Sequence, residues 1–242
     1  MTLRALIFDV DGTLAETEEL HRAAFNQTFQ AFALPWHWDA KLYRELLRTG
    51  GGRERIIHYM RAFATGPSDP AEAADLARRL YAAKSPAYQG LLAAGRLAPR
   101  PGIQRLIAEA RGAGVKLAIA TTSARGNVEA LIRGLFGADA PGWFAAVAAG
   151  EDADAKKPDP AVYRVALERL RLAPSACVAI EDSAIGLGAA RAAGLAAVVA
   201  PSSFTGDDDF EGALARVRDL DHGEDGAPVT LAHIRRWLEM RD

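Results

Sequence analysis

Short apolar runs that stop at polar groups, separated by segments of helical length, constrain this chain more than any other feature. The runs cover 5–8, 117–120 (within a strand expected at 115–120), 144–148, 177–180 and 195–199. Each is too short for an ordinary helix and too continuously apolar for a strand with one wet face. Runs of this kind suit strands buried on both faces, which occur in parallel sheets covered by helices. Helical patterns at 103–113, 127–135, 158–170 and 185–193 fall between them, with Gly114 and Gly194 placed to end two of these helices. We therefore expect an α/β fold, a Rossmann-like and mainly parallel sheet of five strands flanked by helices.

From 15 to 97 nothing reads as a strand. Thr17 or a neighbour can cap a helix carrying Leu20, Ala23, Ala24, Phe25, Thr28, Phe29 and Phe32 at helical spacing. Pro35-Trp36-His37-Trp38 breaks it, 41–47 is a short helical stretch, and the glycine loop 48–53 opens another helix near Glu54. Asp69-Pro70 then starts a long helix with apolar Ala73, Leu76, Ala77, Leu80 and Tyr81, and with Lys84 near its end. The expected organisation is a core domain in two parts, 1–14 and 98–242, interrupted by an all-helical cap domain at 15–97. Leu231, Ile234, Trp237 and Leu238 mark a last amphipathic helix.

The ends of the apolar runs carry the chemistry. The first stops at Asp9-Val10-Asp11-Gly12-Thr13, the second at Thr121-Thr122-Ser123 and the fourth at Glu181-Asp182-Ser183, while Lys156-Lys157-Pro158 opens a helical segment between them. Ligands of open α/β sheets bind at the carboxyl ends of the strands, so these groups share one edge. An acid pair, a hydroxyl, a lysine and a second acid pair make a site for a divalent cation and a phosphate. Asp9, Glu181 and Asp182 offer the hard oxygen ligands that magnesium prefers. Thr121 and Lys157 offer a hydroxyl and a point charge to phosphate oxygens. The tract 206–209 is acidic but lacks the spacing of a calcium loop and reads as a solvated turn.

The set as a whole resembles the haloacid dehalogenase superfamily, whose pattern is DxDGT, a strand-end Thr or Ser, KP and ED, and the resemblance covers nearly the whole chain. It implies that Asp9 is the nucleophile that becomes an aspartyl phosphate and that Asp11 is the general acid and base. It also implies that the Asp11 backbone carbonyl joins Asp9, Glu181 and Asp182 around Mg2+. Ala15 to His21, the stretch 49–56, and Thr121-Thr122-Ser123 with Asn127-Val128-Glu129 are similar to the CbbY branch. That branch acts on xylulose 1,5-bisphosphate, an inhibitor of Rubisco in Calvin-cycle bacteria. Substrate contacts implied by this likeness are Glu18, His21, Tyr43, Gly50, Gly51, Gly52, Arg53, Arg55, Ser123 and Asn127. Arg53 stands where a relative commonly has Lys, and Gly50–Gly52 has one glycine more than usual. Independently, consecutive glycines before a helix N-terminus, flanked by arginines, suit an anion.

Bulk properties narrow the partners. Among 242 residues, 29 Lys and Arg oppose 31 Asp and Glu for a net charge of −2, so no basic field recruits nucleic acid or anionic lipid. Half the residues are hydrophobic, ample for a core, without a long apolar span. Met1 leads directly into the first run with no cleavable leader, and we expect a cytoplasmic monomer whose partner is a small phosphorylated sugar. The single cysteine, Cys177, sits in an apolar run and is expected to pack in the core, and Lys156 is expected to face solvent. Two alternatives use the same groups: a sugar phosphomutase of the β-phosphoglucomutase kind, and a receiver-like phospho-accepting switch. The long insertion after the first strand counts against the switch.

Overall fold

The computed structural model describes residues 2–95, 97–223 and 225–240; Met1, from which the sequence runs straight into a strand, lies outside them. The chain divides into two compact units, Met1–Glu16 with Leu97–Asp242, and Thr17–Arg96. After strand β1 (Ala5–Phe8) come helices α1 (Glu18–Ala31), α2 (Ala40–Leu46), α3 (Gly52–Ala62) and α4 (Pro70–Ala94). The first unit resumes with α5 (Ile103–Gly112), β2 (Lys116–Ala120), α6 (Arg125–Phe136), β3 (Phe144–Ala148) and α7 (Ala161–Leu170). It ends with β4 (Cys177–Glu181), α8 (Ala184–Ala192), β5 (Ala196–Val199), β6 (Ala215–Arg216) and α9 (Leu231–Met240).

Among the described residues of the first unit six strands form one sheet in the order β3-β2-β1-β4-β5-β6, and every neighbouring pair is parallel. The sixth strand was not expected: β6 has two residues, too few to show a period, and exists because Leu214 N and Val217 N donate to Ala197 O and Val199 O at 2.8 and 2.9 Å. β1 lies inside the sheet and Ala5, Leu6, Ile7 and Phe8 are all buried, so no position can be polar. One side of the sheet packs against Val162, Tyr163, Ala166, Leu167 and Leu170 of α7 and Leu187, Ala189 and Ala190 of α8. Each large apolar side chain fully buried this way contributes about 1.5–3 kcal/mol. Cys177 belongs to this core, and burial pushes its thiol up to about 11. Gly114 has φ of 68°, the left-handed geometry that ends α5 before β2. α7 starts at Ala161, three residues after the proline expected to open it; Pro160 stands at its N-cap, and the Asp159 carboxylate accepts from Ala161 N at 2.8 Å in the turn that leads in.

The second unit is helical throughout. Asp39 and Asp69 cap α2 and α4, accepting from Leu42 N at 2.8 Å and from Ala71 N and Glu72 N at 2.9 Å. Its core is aromatic: Phe25 and Phe29 of α1 each lie 4.8 Å from Trp38, and Trp36 and Trp38 each lie 5.4 Å from Tyr59 of α3. Edge-on and tilted pairs of this kind are favourable beyond their buried area. Among the described residues no helix is long and apolar enough to cross a membrane.

Candidate active site at the strand ends

Parallel pairing of β1 with β4 sets Phe8 beside Ile180 and so brings Asp9 and Glu181 to one edge. Asp9 N still donates to Ile180 O at 3.0 Å, so the backbone of Asp9 is held by the ladder. The chain then turns at Gly12, with φ of 78°; a β-carbon there would stand 2.2 Å from the Asp182 carboxylate. Only glycine satisfies both the conformation and the approach. Asp11 points at a second strand end, where the Ser123 hydroxyl donates to Asp11 Oδ2. Thr121, which follows β2, is buried, and its hydroxyl accepts from Ser123 N at 3.1 Å.

Lys157 joins the two acid pairs. Its Nζ donates to Asp9 Oδ1 and to Glu181 Oε1, both at 2.6 Å, and its side chain is only 4% exposed. Burial alone would lower its pKa, but the charges of Asp9 and Glu181 outweigh burial and hold it above the usual lysine range. Asp9 is pushed up to about 8, chiefly by burial, with Lys157 opposing the rise and Glu181 and Asp11 adding to it. The protein has gathered more negative charge than one lysine balances. Oxygens of Asp9, Glu181 and Asp182 lie within 4.8 Å of one another, and all three residues are buried. Three carboxylates against one ammonium is a donor set that fits a hard dication such as Mg2+.

Two residues absent from the sequence reading shape this cluster. Tyr163 of α7 donates its hydroxyl to Glu181 Oε1 at 2.6 Å, and its ring lies 5.0 Å from Lys157 Nζ. Burial first, then the charges of Glu181 and Asp9, raise this phenol well above its ordinary pKa, so it stays a donor. Gly186 of α8 leaves the space that the Glu181 carboxylate occupies: a β-carbon there would fall 2.0–2.2 Å from it. Gly186→Ala must therefore turn Glu181 away from Lys157 and Tyr163. Calorimetric titration of Mg2+ should show at least a tenfold weaker site, on the scale of losing an outer partner of a metal ligand; unchanged affinity would mean that Glu181 does not bind the cation. Lys156, expected in solvent, is instead half-buried and donates to Gly150 O and Ala153 O at 2.6 and 2.9 Å, bracing the loop before Lys157. Asp208, in the acidic turn, accepts from Ala184 N at 2.9 Å at the start of α8. Asn127 is buried on α6.

Within the helical unit the residues fall into two groups. Tyr43 OH donates to Glu18 Oε2 at 2.8 Å and accepts from Arg55 Nη1 at 3.1 Å. The other Arg55 nitrogens donate to Leu46 O at 3.2 Å and Thr49 O at 3.3 Å, so this guanidinium shapes the loop leading to Gly50. Gly50 and Gly51 are buried, and Gly51, with φ of 88°, precedes the first residue of α3, Gly52. Arg53 lies outside this group, exposed and paired with Glu54 at 3.1 Å. The second group is His21, stacked on Tyr88 at 4.1 Å and in contact through Nδ1 with Lys84 Nζ. Lys84, 3% exposed, also lies 5.0 and 4.9 Å from the rings of Phe25 and Tyr88. It occupies a position of the apolar stripe of α4, and a lysine in such a register was the signal available in the sequence.

Comparison with known proteins accords with this geometry. Residues 3–194 match the family model for haloacid dehalogenase-like hydrolases. Protein CbbY of Rhodobacter capsulatus is 50% identical over 220 residues, 91% of this chain and 95% of that protein. Crystal structures of CbbY from Rhodobacter sphaeroides also match. One in complex with phosphate has 46% identity and a TM-score of 0.87, over 97% of this chain and 100% of that one. Another, in complex with xylulose-(1,5)bisphosphate, has 45% identity and a TM-score of 0.86, over 96% and 99%.

Proposed function

As the chain belongs to the haloacid dehalogenase-like hydrolase family and is a sugar-phosphate phosphatase, we propose that its substrate is xylulose 1,5-bisphosphate, cleaved to xylulose 5-phosphate through a phosphorylated Asp9 with Mg2+ as cofactor. The observation that carries the chemistry is the buried carboxylate cluster of Asp9, Glu181 and Asp182 braced by Lys157. The choice of sugar rests on the ligand of the related CbbY structure.

In this reading an Asp9 oxygen attacks phosphorus and the bond to the sugar oxygen breaks. Asp11 gives its proton to that oxygen as it leaves. Asp11, now a carboxylate, takes a proton from the water that attacks the phosphorylated Asp9, which releases inorganic phosphate and restores both acids. General acid–base help of this kind is worth roughly 10²–10⁴-fold. Lys157 stabilises the ionised form of Asp9 against the burial that raises its pKa, and Thr121 and Lys157 donate to the phosphoryl oxygens. Asp9, Glu181, Asp182 and the Asp11 carbonyl would hold Mg2+, which neutralises phosphate charge and fixes the line of attack. Glu18, Tyr43 and the glycine loop that Arg55 shapes would bind the remainder of the sugar bisphosphate, with His21, Arg53, Ser123 and Asn127 as further contacts.

The test is phosphate release with Mg2+ from xylulose 1,5-bisphosphate, ribulose 1,5-bisphosphate and fructose 6-phosphate, with Asp9→Asn as the blank. Strong preference for the xylulose compound is the expected result. Equal or absent release from it would defeat the substrate assignment, and isomerisation of glucose 1-phosphate without phosphate release would establish a mutase instead.

A further inference from the structure

We propose that Arg100 is a positioning residue for Asp11, acting through the Gly12 carbonyl; this rests on the reading of Asp11 as general acid. Arg100 directly precedes Pro101-Gly102 at the start of α5 and is 88 residues from Gly12 in sequence, yet its Nη1 donates to Gly12 O. The same Nη1 donates to Ala200 O at 2.7 Å and Nη2 to Pro201 O at 2.6 Å, in the segment that leaves β5. Nε pairs with Glu16 Oε1 at 3.0 Å, and the backbone N donates to Leu14 O at 2.9 Å. The side chain is 9% exposed. Glu16 is itself fixed on its other oxygen by the Ser203 hydroxyl at 2.7 Å.

One guanidinium thus gathers acceptors from three separate stretches: the Asp9–Thr13 turn, the end of the first segment at Glu16, and the loop after β5. The turn's own bonds, Gly12 N to Ala15 O at 3.0 Å and Leu14 N to Val10 O at 2.8 Å, fix its shape. They do not fix where the turn stands against the neighbouring strand ends. The ladder bond from Asp9 N to Ile180 O anchors the start of the turn, and Arg100 anchors its far side, because it bonds the carbonyl of the residue after Asp11 and the residues following β5 with one rigid plane. A lysine keeps the charge but offers a single nitrogen and cannot reproduce the fork. Displacement of a catalytic group by about 1 Å costs on the order of 10²-fold. Loss of the fork should therefore appear in the step that Asp11 performs and spare steps that do not need its proton.

Leaving-group dependence isolates that step. An alkyl phosphate must receive a proton on departure, whereas p-nitrophenolate leaves unaided, and kcat/KM reports transfer to the enzyme for both. Arg100→Lys is expected to lower kcat/KM by about 10–100-fold for xylulose 1,5-bisphosphate and by less than about threefold for p-nitrophenyl phosphate. Glu16→Gln, which keeps one acceptor oxygen and so loosens the Nε pair or its Ser203 brace while leaving the Arg100 bonds to Gly12, Ala200 and Pro201, should give the same split at a few-fold and serves if Arg100→Lys does not fold. Asp11→Asn is the reference and should show the largest split. Equal losses on both esters in the Arg100 and Glu16 variants, or no loss on either, overturn the inference while Asp11→Asn still splits. If Asp11→Asn shows no split, the acid assignment fails, and the inference with it.

Discussion

Asp9→Asn is expected to reduce phosphate release by on the order of 10⁴-fold or more, the scale on which loss of a covalent nucleophile is felt. The amide is nearly the same shape, so the β1 ladder and the turn at Gly12 survive. What it lacks is a negative oxygen at the point where Lys157 Nζ now holds Asp9 Oδ1 at 2.6 Å. Acid-quenched wild-type protein should retain label from a phosphate-labelled substrate, and the variant should retain none. Stability without metal should move the other way. The folded pKa of Asp9, about 8, lies above the ordinary value of 3.8, so between these pH values the folded state binds more protons than the unfolded one. Stability is then fully present below pH 4 and is lost as pH rises towards 8. Asparagine cannot titrate, so in EDTA the variant should lack this decline and be the more stable protein at pH 8–9. A variant equally active, or one whose stability in EDTA falls with pH as steeply as the wild type, would remove Asp9 from the role assigned to it.

The first strand and its acids were legible because burial on both faces leaves no room for a polar residue until the strand ends. An Asp directly after Phe8 is therefore conspicuous, and a parallel sheet brings successive strand ends to one edge, where the oxygens of Asp9, Glu181 and Asp182 meet. The same logic reached five strands and failed at β6, whose pairing is specified by two hydrogen bonds rather than by any pattern of its own. Side chains that work by reaching across the fold were not legible. Arg100 looks like an ordinary residue before a Pro-Gly turn, and its partners at Gly12, Ala200 and Pro201 are distant in sequence. Tyr163 sits at an apolar position of α7 and differs from a core Phe only by the hydroxyl that meets Glu181. Gly186 reads as one small residue in an alanine-rich helix, although its missing β-carbon makes room for a carboxylate. The sequence groups Arg55 with Arg53 as an anion contact. The structure separates them: one is buried and bonded to the loop backbone, the other exposed.

Lys157→Met should have the largest effect on the fold itself. Methionine fills much the same volume but leaves the Asp9 and Glu181 oxygens, each now 2.6 Å from Nζ, facing one another without a cation. Removing one partner of a buried ion pair costs about 3–5 kcal/mol, and urea unfolding in EDTA at pH 9 should show a loss of that order. The loss should shrink at pH 5, because Asp9 without its lysine takes up a proton more readily still and a neutral acid needs no partner. Saturating Mg2+ should restore part of the stability, since a ligand bound only by the folded state adds to it by mass action. Activity should stay low even then, because no ammonium reaches the phosphoryl group. The pairing of Lys157 with Asp9 can be separated from simple packing by combining the two substitutions. In Asp9→Asn the lysine has only Glu181 to balance, so adding Lys157→Met should cost less in EDTA at pH 9 than it does in the wild type. A double variant destabilised by as much as the single changes sum to would show that the two residues are energetically independent. In that case the short contact between them would not be what keeps three buried carboxylates in one place.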